Sequence, residues 1–113
     1  MKVYYEEIDG HLFPQWLLLP ATSHSSSLSV QLDAPFERME AEDFHDELTI
    51  VTVTQAALAI RPVDETHFVL HTDQIKNDLE VQMPESVDYY LIRLDDLEEV
   101  LHMNVKPYFS RPL

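Results

Sequence analysis

Seven prolines and a single glycine limit the size of the elements this chain can build. Each proline fixes φ and removes a backbone donor. Pro14, Pro20, Pro35, Pro62, Pro84, Pro107 and Pro112 are therefore expected at element boundaries or sheet edges. The stretches between them have the length of single elements. The lone glycine, Gly10, excludes a phosphate-cradling loop, a dinucleotide fingerprint and a nucleophile elbow, because each needs several permissive backbone positions. The chain has no cysteine, which removes disulfides, thiolate zinc sites and cysteine nucleophiles. Its 113 residues are 45% hydrophobic, enough for one domain, 1–113, with a core of its own.

Strand signals dominate. Ser27 to Leu32 alternates cleanly, with Leu28, Val30 and Leu32 on one face and Ser27, Ser29 and Gln31 on the other. Val3, Tyr5 and, less cleanly, Ile8 mark an edge strand with acids interleaved. Leu48 to Thr54 is rich in β-branched residues and reads as a central strand. Residues 55–60 fit either a continuation of it or a short helical turn. Thr66 to Thr72 and Asp78 to Met83 read as two strands joined by a hairpin loop over 73–77. Val87 to Leu94 reads as another strand, with Tyr89, Leu91 and Arg93 on one face. The period then changes: Leu94, Leu97, Val100 and Leu101 recur at helical spacing. Asp95 and Glu98 form a capping-box-like pair over a helix at 95–103, with His102 and Lys106 near its negative end. A second helix is expected from about Pro35 to Phe44. Ser23 to Ser27 reads as a loop. The resulting class is α+β: a mostly antiparallel or mixed sheet of about five to seven strands, with one or two short helices on one face.

The longest apolar run, Trp16 to Leu19, is far short of the ~20 residues that span a bilayer. Acids interrupt the N-terminal segment where a secretory signal needs an apolar run. The expected location is cytoplasmic, with no membrane partner.

Acids are the strongest functional signal. Twenty-one acids stand against 7 bases, a formal charge of -14 with a pI near 4.5. They cluster at Glu37, Glu40, Glu42, Asp43, Asp46 and Glu47, and again at Asp95, Asp96, Glu98 and Glu99. Phosphates would be repelled, so nucleic acid is not expected as a direct partner. A basic protein surface would be steered toward these clusters, and Tyr89 and Tyr90 beside them could supply grip. This is the expected behaviour of an inhibitor, immunity protein or nucleic-acid mimic acting on a nucleic-acid-handling enzyme. The aromatic residues Phe13, Phe36, Phe44 and Phe68 read as core. A homodimer through an edge strand, 27–32 or 2–8, is a further association to consider.

Histidines carry the alternative reading: a small housekeeping domain whose acidity serves solubility, with ligand or metal chemistry near His67 and His71. On a strand these two share a face but lie about 13 Å apart, too far to chelate one ion, and tetrahedral sites need three or four converging ligands. Glu42 to Glu47 lacks the glycine and alternating oxygens of a calcium loop. No catalytic motif stands in context. The expectation is a non-enzymatic protein with no cofactor and no dedicated metal site.

Overall fold

A computed structural model describes residues 1–21, 26–40, 48–78 and 86–110. Among them the chain is α+β, with eight strands in two sheets and two short helices. Strands β1 (Lys2–Ile8) and β2 (His11–Pro20) form a hairpin. It turns at Asp9 and Gly10, whose φ angles are 51° and 79°. Positive φ at both central residues is what a two-residue type I′ hairpin turn requires, and Asp-Gly supplies it. The chain continues through β3 (Ser27–Gln31), β4 (Glu37–Met39), β5 (Ile50–Val53), β6 (Ile60–Pro62) and β7 (His67–His71). Helix α1 (Thr72–Asp78) follows, then β8 (Tyr89–Arg93) and α2 (Leu94–Leu101). Two 3-10 turns lie at Gln55–Ala57 and Lys106–Phe109.

The five-stranded sheet runs β4-β1-β2-β8-β5, with β4 parallel to β1, β5 parallel to β8 and the other pairs antiparallel. The three-stranded sheet runs β3-β7-β6 and is antiparallel. One core joins them. The large sheet contributes Val3, Leu17, Leu19, Tyr90, Ile92 and Val53; the small sheet contributes Val30, Phe68 and Leu70. Helix α2 adds Leu94 and Leu97, both fully buried, and packs against β2, β6 and β8.

Several sequence expectations are corrected. Among the described residues the strand at 48–54 is an edge, not a centre, since β5 pairs there with β8 alone. The helix expected at 35–44 is replaced over its described part by β4. The Glu37 N–H donates to the Met1 carbonyl and the strand pairs along β1; long-range pairing outweighs local helix propensity here. Residues 73–77 are helical rather than a hairpin loop. The Thr72 N–H donates to the Ser26 carbonyl and Ile75 is fully buried, so tertiary contact holds this short helix. Asp78 ends that helix; 79–83 lies outside the described residues. Helix α2 starts at Leu94, with Arg93 at the cap position and no side-chain cap. Glu98 does not reach back toward Asp95. Its Oε2 accepts the Val105 N–H at 2.9 Å. Lys106 sits against Asp95 in the first turn instead of at the negative end. The open question over 55–60 resolves into a 3-10 turn followed by the start of β6.

Pro14 lies within a strand. Tyr4 pairs with Trp16 but Tyr5 with Pro14, so Gln15 is the extra residue of a bulge. Such a position tolerates a missing donor. The bulge also exchanges faces. Phe13 would share a face with Leu17 and Leu19 by simple alternation, yet it lies on the opposite one, and Pro14 is buried on the core side.

Candidate protein-interaction surface

Among the described residues the hairpin outruns its neighbours. β4 pairs with β1 only over Lys2–Tyr4, and β8 pairs with β2 only over Trp16–Pro20. From Tyr5 to Pro14 the hairpin is a two-stranded ribbon with no further strand on either side among the described residues. Its apolar side chains are exposed: Ile8 by 44% and Phe13 by 44% on one face of the ribbon, and Leu12 by 45% on the other. Acids stand directly across the ribbon from them, Glu6 opposite Phe13 and Glu7 opposite Leu12, with Asp9 in the turn. All three acids are exposed. The reading of Phe13 as core is thus corrected, for the reason given by the bulge. Phe68 is core and Phe36 is half-buried edge-on to Phe109, while Phe44 lies outside the described residues.

Other acids gather at the same end of the sheet. Trp16 pairs with Arg93, so α2 leaves the sheet at the end from which the ribbon projects. β4 is parallel to β1, so Glu40 follows Met39 toward that end too. Arg38, Arg93 and Lys106 stand there, and each is already engaged. Arg38 Nε lies 3.0 Å from Glu40 Oε1, and its guanidinium is 5.5 Å from the Tyr5 ring centre. Arg93 lies 3.6 Å from Asp95, and Lys106 pairs with Asp95 and lies 3.9 Å from Glu98. The hydrogen bond from Lys106 holds the Asp95 carboxyl below the usual carboxylate range, with the Arg93 charge adding a smaller part. Among the described residues, no cation pairs with Glu6, Glu7, Asp9, Asp96 or Glu99.

The residues expected from sequence to form the partner surface are therefore divided. Glu37 is exposed and shares a shallow depression with Tyr89 and Lys2. Lys2 Nζ sits 5.8 Å from the centre of the Tyr89 ring. Glu40 and Asp95 are ion-paired, and Glu98 accepts a backbone N–H. Asp96 and Glu99 remain available on α2. Tyr90 is only 3% exposed and points into the core, so it offers no grip to a partner. Burial pushes its phenol pKa upward. Glu42, Asp43, Asp46 and Glu47 lie outside the described residues. Sequence reasoning missed Ile8, Leu12 and Phe13; the Asp9-Gly10 pair between apolar flanks is the signal that could have found them.

His67 and His71 occupy the polar face of β7 with Val69, opposite the buried Phe68 and Leu70. The His67 Nε2 is hydrogen-bonded to the Ser29 hydroxyl on the adjacent strand. No group of three or more histidines or carboxylates among the described residues is placed to hold a metal ion. None of the helices there is long and apolar enough to cross a membrane. Comparison with protein-family models, curated proteins and solved structures finds no match.

Proposed function

We propose that this protein is an acidic interaction module that binds a basic protein surface, with the β1–β2 ribbon as its contact element. The observation that carries this reading is the pairing of exposed apolar side chains with unmatched acids on one projecting ribbon. Contiguous exposed apolar groups rimmed by charge are a mark of interaction surfaces. Phe13 and Ile8, on one face of the ribbon, would supply the desolvated contact, with Leu12 exposed on the other. Glu6, Glu7 and Asp9 would steer a cationic partner and penalise an anionic one. Asp96 and Glu99 on α2 extend the same field.

A basic target with an exposed cationic cleft is what a nucleic-acid-handling enzyme presents, because it must bind phosphate. The finer reading is therefore an inhibitor or immunity-type protein that occupies such a cleft. Its test is competition: the protein should protect the captured enzyme's nucleic-acid substrate, and the Glu6→Lys, Glu7→Lys double variant should not. Protection that survives this reversal would contradict the reading.

A further inference from the structure

A cleft of about 380 Å³ opens between the small sheet and the end of α2, and no ribbon residue lines it among the described residues. That volume is at the lower end of the range for small-molecule sites. Leu32 and Phe68, each 1% exposed, form its floor. Pro62, Val63, Leu101 and Met103 form its walls, and Val63 stands 49% exposed at the mouth. The Met103 thioether can adapt to a ligand's shape.

The polar groups at this cleft are biased to one sign. Asp64 and Glu65 lie on its rim with His67, and among the described residues no lysine or arginine lines it. The rim is also held in place. Asp64 Oδ1 accepts the Thr66 N–H at 2.9 Å and the Thr66 hydroxyl at 3.3 Å. The N–H groups of Val63 and Asp64 donate to the His67 carbonyl at 2.8 and 3.2 Å. The Thr66 N–H bond does most to hold the Asp64 carboxyl below the usual carboxylate range, with the Thr66 hydroxyl and His67 adding smaller parts. Helix α2 ends at Leu101, so the negative end of its dipole also stands at the cleft.

We propose that this cleft binds a small organic cation, an ammonium group carried on an aryl or alkyl body. The apolar body lies against Leu32, Phe68 and Leu101, and the ammonium meets Asp64 and Glu65. An organic anion of the same shape meets two carboxylates and the wrong end of a helix dipole. The site is independent of the ribbon and of any protein partner.

The test is a titration of the isolated protein with phenethylamine and, separately, with hydrocinnamate, a carboxylate with a similar body. Methyl resonances of Leu32, Val63, Leu101 and Met103 are the readout. Phenethylamine should give saturable shifts and bind at least about tenfold more tightly than hydrocinnamate. The Asp64→Asn, Glu65→Gln double variant keeps the turn's acceptor and should cut that preference to about threefold or less. Met103→Trp fills the cleft without changing charge and should abolish the shifts at Leu32, Val63 and Leu101. Absence of saturable shifts would overturn the proposal. So would equal or tighter binding of hydrocinnamate, or indifference to both variants in protein whose remaining spectrum is native.

Discussion

The phenol of Tyr5 donates a hydrogen bond to the backbone carbonyl of Phe109, a residue 104 positions further along the chain. This bond ties the base of the ribbon to the 3-10 turn at Lys106–Phe109. Phe109 is fully buried, and Phe36 meets it edge-on at 5.3 Å and 87°. The Arg38 guanidinium covers the Tyr5 ring. Three distant segments thus converge where the ribbon leaves the sheet.

Removing this tie should be measurable. Tyr5→Phe keeps the ring and loses the bond, so urea unfolding should show a loss of about 1 kcal/mol. Phe109→Ala removes a buried ring and its contact with Phe36, and should cost about 3–5 kcal/mol. A Tyr5→Phe loss indistinguishable from zero would mean the bond adds nothing to stability.

The ribbon turn should be sensitive to its glycine for a purely conformational reason. An added Cβ at Gly10 meets nothing within 4 Å, but φ is +79°. Gly10→Ala should therefore destabilise by about 1 kcal/mol, whereas Asp9→Asn, which suits the same turn, should be close to neutral. Thermal unfolding of the two variants checks this contrast.

Two carboxylates predict the acid limb of stability. Hydrogen bonding from Lys106 lowers the Asp95 pKa, and the Thr66 backbone N–H lowers that of Asp64. The folded state then holds these protons less tightly than the unfolded chain, whose aspartates titrate near 3.9. Their contribution is full above that value and is lost as pH falls through the lower folded-state values. Urea midpoints taken from about pH 6 to about pH 3 should fall, and Asp95→Asn should flatten part of the fall. The Asp95–Lys106 pair is exposed, so its worth is below about 1 kcal/mol and should shrink further in high salt.

The alkaline limb rests on phenols. Burial raises the pKa of Tyr90, and it raises that of Tyr5 against the opposing charge of Arg38. Both stabilise the fold below the ordinary phenol value of about 10 and lose that effect as pH rises through the higher folded-state values. Ultraviolet titration should show a late-ionising fraction that disappears on unfolding and shrinks in Tyr90→Phe.

Much of this fold can be read from period-two patterning. Leu28, Val30 and Leu32 do turn to the core, and Ser29 and Gln31 do face out. Pro62 does end an edge strand. Other features depend on information that is not local. Alternation along β2 points Phe13 inward, and only the bulge at Gln15 reverses it. Helix α1 carries no apolar period, because Ile75 is the only hydrophobic side chain in its span. β4 forms because β1 offers an edge far away in sequence. The acids were visible from composition, but not which of them were matched. Asp95 reads as one of four unopposed charges until Lys106 folds back onto it.

The most direct test of the interaction reading is affinity capture from source lysate with wild-type protein and with a Phe13→Ser, Glu6→Lys, Glu7→Lys variant, at about 0.05 and about 0.5 M salt. Bound proteins are identified by mass. Phe13 is exposed in the free protein, so its replacement should leave the fold intact, which circular dichroism checks. The account predicts one stoichiometric basic protein that binds wild type at low salt, weakens at high salt and is lost with the variant. A partner retained by the natively folded variant, or no partner at either salt, would contradict it.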